Sequence, residues 1–112
     1  MDSIEIEKSK SYSSSELISY EPNSVVSRTI IKKPAGKITV MSFDSGEVLT
    51  EKTSPFDMFA QVIDGKAEIV IDGTSNILET GQSIIIPAHT PNFVKANERF
   101  KMISTVIKSG YE

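Results

Sequence analysis

From Ser24 onward, apolar residues come in short bursts separated by turns that contain Gly, Pro or Asp. Val25 to Ile31 is β-branched and apolar, and Lys32-Lys33-Pro34-Ala35-Gly36 turns the chain. Lys37 to Phe43 alternates, placing Ile38 and Val40 on one face and Thr39, Met41 and Phe43 on the other. After the Asp44-Ser45-Gly46 turn come two apolar runs, Phe56 to Ile63 and Lys66 to Ile71. Asp64-Gly65 lies between them and predicts a tight hairpin. Asp72-Gly73 leads to a strand over 76–79, and Thr80-Gly81 to one over 83–86 that Pro87 stops. Runs over 92–96 and 100–107 complete the set. Strands this short and this regularly punctuated predict an all-β sandwich or barrel of antiparallel hairpins. No βαβ spacing is present, which excludes a Rossmann-type fold.

Composition strengthens this picture. The 112 residues suffice for one domain. The 23 Ile and Val against 8 Leu and Ala favour pleated strands over helices. Residues 1–24 differ from the rest. They hold eight of the sixteen serines and mixed charges, and are expected to form a flexible or loosely docked lead to a single domain over 25–112. Within them Ser15-Glu16-Leu17-Ile18 can start one helical turn. No apolar run approaches twenty residues, so no transmembrane helix and no membrane partner is expected. The N-terminus lacks a basic start and an apolar block, the marks of a signal peptide. Zero cysteines exclude disulfides, thiolate metal sites and cysteine nucleophiles, and fit a reducing, cytoplasmic location.

Charge narrows the partners. Twelve basic and fifteen acidic residues leave a net −3, with no basic cluster beyond Lys32-Lys33 and no Trp. That is not the footprint of a nucleic-acid binder. One histidine, His89, cannot build a triad, a two-histidine metal motif or a histidine pair.

The turn residues carry a recognisable spacing. Gly46, five residues, Lys52-Thr53-Ser54, three residues, Met58, six residues, then Gly65 forms one segment. Gly81, five residues, then Pro87-Ala88-His89-Thr90-Pro91-Asn92 forms a second. Over about residues 37–107 the chain resembles the cupin superfamily, whose fold is a small double-stranded β-helix, or jelly-roll barrel. The resemblance implies a ligand set of two histidines and a glutamate from the first motif and a histidine from the second in metal-binding members. Those positions are Lys52, Ser54, Met58 and Asn92 here. The closing Asn of the second motif falls on Ala96 and its Gly on His89. A dication wants imidazole nitrogens and a carboxylate; an ammonium repels it, and a thioether suits iron, manganese or zinc poorly. No metal or other cofactor is therefore expected. In the alternative, a divalent metal would need His89, Asp57 or Gln61 as ligands, although Asp57, next to Met58, should face the other way on a strand.

Each candidate residue has a functional and a plainer reading. Lys52 at a barrel mouth can contact an anion or act as an amine nucleophile, or simply snorkel into water. Asn92 can orient a polar ligand or satisfy a loop carbonyl. Met58, Met41 and Met102 can line a pocket or fill the core. His89, flanked by Pro87 and Pro91, reads as a rim residue. Gln61 reads as facing out or pairing across a subunit contact. Strand alternation puts Lys52, Ser54 and Met58 on one face, so with Asn92 they are expected to converge on one interior site. Phe93, Phe100, Met102, Ile103, Val106 and Ile107, with Val25 to Ile31, exceed what one small barrel must bury. A homodimer follows, with the strand near 25–31 at its interface, and the resemblance points the same way. The leading expectation is a metal-free barrel that binds a small molecule in a sensing, carrying or protecting role. The alternatives are a cupin-type isomerase, lyase or oxygenase acting on a sugar-like or organic-acid substrate, and a barrel whose outer surface does the work.

Overall fold

Antiparallel pairing accounts for every strand contact in the computed structural model, which describes residues 5–109. The strands are β1 (Val25–Lys33), β2 (Gly36–Phe43), β3 (Val48–Lys52), β4 (Met58–Ile71), β5 (Thr74–Glu79), β6 (Ser83–Ile86), β7 (Asn92–Lys95) and β8 (Phe100–Ile107). One sheet runs β1-β2-β8-β4-β6 and the other β3-β7-β4-β5, with β4 belonging to both. The result is a jelly-roll barrel, as the strand pattern and the motif spacing led us to expect. Among the described residues no helix is long and apolar enough to cross a membrane.

The hairpin expected at Asp64-Gly65 does not form. Phe56 to Ile63 and Lys66 to Ile71 belong to one fourteen-residue strand, β4. Its first half pairs with β6 and β8, and its second half with β5 and β7. Asp64-Gly65 bends the strand from one sheet to the other instead of reversing it. The pairing with β8 slips by one residue between Val62 and Asp64, and Gly65 takes φ +84°. A Cβ on Gly65 would lie 2.4 Å from the Arg99 carbonyl oxygen and 3.0 Å from the Phe100 Cα, so the bend needs glycine for space as well as for its dihedral. A second difference lies just upstream. β3 stops at Lys52 and a loop carries 53–57, so strand alternation does not run through Ser54 to Met58.

Two cores flank the larger sheet. Inside the barrel, Phe43, Ala60, Val62, Ala67, Ile69, Phe100 and Met102 pack together with almost no exposure. Phe43 and Phe100, cross-strand partners, stack with ring centroids 4.5 Å apart. Outside, Leu17 and Ile18 pack on Val40, with Val26, Ile30, Ile63 and Ile103 around them. They belong to a strap, residues 5–24, that crosses the sheet and includes a short 3₁₀ turn at Ser14–Glu16. Its carbonyls are held by side chains of the sheet: Lys101 donates to Ser15 O (2.6 Å), Arg28 to Leu17 O (2.8 Å) and Ser42 to Ser19 O (2.9 Å). Tyr20 donates to Asp64 (2.7 Å), with Arg99 and Lys101 over its ring. Burial, reinforced by that hydrogen bond, pushes the Tyr20 hydroxyl well above the ordinary phenol range, so it stays a neutral donor.

Candidate functional site

The two motif loops meet at one end of the barrel. The His89 N–H donates to the Ser54 carbonyl (2.6 Å), and the Ala88 N–H donates to Asp57 Oδ1 (2.8 Å). These bonds tie the loop between β3 and β4 to the loop between β6 and β7. Ser54 Oγ also accepts from the Phe56 N–H (3.1 Å), which tightens the first loop on itself. Ser54 and Asp57 thus act here as stitches between loops. His89 is exposed and takes φ +61°, in the left-handed region where the second motif of the resembling family places glycine. The backbone shape of that loop persists without the glycine.

Asn92 opens β7 and lies inside. Its Cα partners are Lys52 on β3 and Ile71 on β4, and Val94, two residues on, is in the barrel core. Its side chain is 4% exposed. Nδ2 donates to the Lys52 carbonyl (3.3 Å) and to the Thr90 carbonyl (3.0 Å). With both amide hydrogens engaged, Oδ1 must point away from those two carbonyls. It is buried, with no hydrogen-bond partner among the described residues. A buried acceptor without a donor costs about 1–3 kcal/mol. Native structures hold few such groups, and a missing ligand or water is a usual reason.

The other expected residues distribute around this point. Lys52 is the cross-strand partner of Asn92, but its side chain is exposed; only its backbone carbonyl joins the amide. Met58 is half-buried at the start of β4, opposite Ile86 and Val106, and packs against the barrel core. Met41 and Met102 are cross-strand partners deeper in; Met102 is fully packed and Met41 half-buried. Gln61 lies on the outer face of β4, where it lines a groove of about 360 Å³ with Ser14, Ser15 and Thr80. The structure thus brings Asn92 and Lys52 together, places Met58, Met41 and Met102 along the interior, and puts Gln61 outside the barrel.

Two interior polar residues escaped the sequence reading. Thr39 on β2 and Ser104 on β8 are cross-strand partners, and Ala60 is the next partner along the same row. The row lies between that of Met41, Met102 and Val62 and that of Val106 and Met58, so it carries two hydroxyls on the inner face. Alternation along Phe100, Met102, Ser104 and Val106 was the available signal. Ser104 is 8% exposed.

No grouping suited to a metal accompanies these residues: among the described residues no three His, Cys, Asp or Glu side chains gather within reach of one ion. At the four positions that hold metal in the resembling family, the chain offers an exposed ammonium, a hydroxyl already bonded within its loop, a thioether and one amide oxygen. That set does not fit a dication of the iron, manganese or zinc kind.

Comparison with known proteins agrees with the architecture. A conserved protein of unknown function from Streptococcus pyogenes is 32% identical, with a TM-score of 0.89, over 96% of this chain and 94% of that one. A cupin 2 conserved barrel domain protein from Leptotrichia buccalis is 34% identical over 84% of this chain, with a TM-score of 0.81; the match spans 46% of that longer protein. A cupin superfamily protein from Desulfitobacterium hafniense shares the fold, with a TM-score of 0.88 at 22% identity, over 97% of this chain and all of that one. No family model matches the sequence, and no curated protein is significantly similar to it.

Proposed function

The chain has the cupin superfamily fold, and we propose that this protein is a metal-free barrel that binds a small organic molecule carrying a hydroxyl or amide donor. The observation that carries the proposal is the buried Oδ1 of Asn92, an acceptor without a donor. Where a metal-binding relative has an imidazole, this chain has an amide whose two hydrogens are spent on backbone carbonyls. What remains is a fixed, desolvated acceptor. Such an acceptor selects for O–H or N–H and against a bare carboxylate or phosphate, which bring only further acceptors. On the inner face Thr39 and Ser104 carry two further hydroxyls, and Met58, Met41 and Ile71 are apolar, the mixture usual in ligand sites. Apolar and adaptable methionines suit a ligand of irregular shape. The role that fits is carrying, sensing or protecting that ligand.

A thermal-shift panel of polyols, sugars, hydroxy acids and small amides tests this reading. At a hundred times its dissociation constant, a ligand stabilises the protein by about 2.7 kcal/mol. For a domain of this size that moves Tm by more than about 5 °C. We expect at least one donor-bearing compound to do so, and Asn92→Leu, which keeps the branching at Cγ and removes the acceptor, to abolish the shift. A panel without a hit, or a shift unchanged in the variant, contradicts the proposal.

A further inference from the structure

The first residues of the strap lie alongside the end of β1, where the Ile6 N–H donates to the Ile30 carbonyl (3.3 Å). Between the strap and the β1–β2 turn is a cleft of about 910 Å³ whose lining includes Lys8, Lys32, Lys33, Pro34, Lys108 and Glu5. Its lysines come from three places in the chain. Lys8 belongs to the strap, Lys32 and Lys33 close β1, and Lys108 follows β8, fixed there by its N–H donating to the Ala35 carbonyl (2.7 Å). Lys37, the cross-strand partner of Lys32, adds a fifth ammonium at the same end. Half of the ten lysines thus gather at one end of a chain whose net charge is −3. Along the sequence only Lys32-Lys33 stands out, because the fold brings in the others. The cleft lies outside the barrel, since Ile6, also in its lining, packs with the outer core. It is therefore separate from the site at Asn92.

One anion is already seated here. Glu5 accepts from the Lys32 N–H (2.8 Å), with the Lys33 ammonium at 3.4 Å and the Lys8 ammonium at 3.8 Å. Among the described residues it is the one carboxylate of the lining, and it answers a single charge where four lysines meet. Lys32 and Lys37 also stand directly opposite one another, and like charges so placed cost stability. A further anion would relieve that repulsion. We propose that this cleft binds a chain of linked phosphates, either free or carried by a nucleoside. The charge type points to phosphate. The lining holds lysine and no arginine. An ammonium is a compact point charge that suits phosphate oxygens, whereas a carboxylate is matched best by the planar fork of arginine. The number of charges points to a chain. Glu5 leaves three of the four lining lysines unanswered, so the ligand must bring several negative charges close together, as linked phosphates do. The volume agrees, since small-molecule sites measure on the order of 300–1,000 Å³.

Titration calorimetry of the full chain with sodium tripolyphosphate tests this. One equivalent per chain should bind at about 50 mM and at about 150 mM salt, more weakly at the higher value because ions screen the lysines. Lys33→Glu and Lys108→Glu should each weaken binding at least about tenfold. Glu5→Gln, which keeps an acceptor for the Lys32 N–H and removes the competing charge, should tighten it at least about threefold. Lys66→Glu and Lys95→Glu, which reverse charge on β4 and β7, should each leave it within about twofold. All the substituted lysines are exposed, and far-UV circular dichroism reports that the variants fold. ATP no tighter than tripolyphosphate assigns the cleft to the free phosphate chain, and ATP tighter than tripolyphosphate assigns it to a nucleotide. The absence of binding at the higher salt, or binding that neither Lys33→Glu nor Lys108→Glu weakens, overturns the proposal. So does citrate binding as tightly as tripolyphosphate, a single-stranded oligonucleotide binding more tightly, or a loss in Lys66→Glu or Lys95→Glu as large as in Lys33→Glu.

Discussion

Asn92 and His89 stand three residues apart and depart from the family motif in different ways. Asn92 changes the chemistry offered to the interior, replacing a nitrogen lone pair by a carbonyl acceptor held by two backbone contacts. His89 changes nothing in the backbone path, since it keeps the left-handed dihedral that glycine would adopt freely. That conformation costs an L-residue about 1–2 kcal/mol, offset in part by the greater unfolded freedom of glycine. His89→Gly should therefore stabilise the fold by up to about 1 kcal/mol, measured by urea denaturation. A loss of stability would mean that the imidazole makes a contact worth more than the strain. The positions of both residues were legible from motif spacing. The orphan Oδ1 was not, because nothing in a sequence says where the two hydrogens of an amide go. Thr39 and Ser104 were legible in principle, since alternation in both strands points them inward.

At the scale of elements, one long bent strand joins the two sheets and one strap covers the larger sheet from outside. Gly65→Ala should destabilise by on the order of 3 kcal/mol or more, because it adds a backbone clash to an unfavourable dihedral. Near-neutral behaviour in thermal melts would show that β4 can bend without glycine. The reading of Asp64-Gly65 as a hairpin failed for a physical reason: the same dipeptide serves a two-residue turn or a strand bend, and only the partners on either side decide between them. The strap has its own signature in acid. Asp44 accepts from the Asn23 and Ser45 N–H groups, with Arg99 beside it, and these bonds hold its carboxyl below the usual range. The N–H of Lys32, helped by Lys33, does the same for Glu5, as do the Ser75 hydroxyl and Asn97 for Glu68. A carboxylate with a depressed folded-state pKa contributes stability that is fully present above its unfolded value. That contribution is lost as pH falls through the folded value. Tm should therefore hold steady above about pH 5 and decline below about pH 4. Asp44→Asn should flatten part of that decline, since its amide no longer titrates. An identical acid slope in the variant would remove Asp44 from this account.

At the scale of the whole molecule, an apolar surplus runs through the strands, and the structure divides it three ways. The barrel interior takes one share and the strap covers another through Leu17 and Ile18. The third remains exposed on the outer face, at Ile31, Phe59, Ile85 and Ile107. Strand composition alone carried the all-β class, and glycine and proline spacing carried the barrel. The division of apolar surface depended on register, which is a property of strand pairs and not of any one strand. The proposed function lies inside the barrel: where metal-binding members of the fold hold an ion, we propose that this chain holds an organic molecule. Metal content tests that claim most directly. The protein, purified without added metal and dialysed against a mild chelator, goes to elemental analysis for iron, manganese, zinc, nickel and copper. With an exposed Lys52, the thioether of Met58 and the amide of Asn92 at the ligand positions, each metal should fall far below one equivalent per chain. Near-stoichiometric retention of any one of them would contradict the account, and would assign Asn92 Oδ1 to a cation.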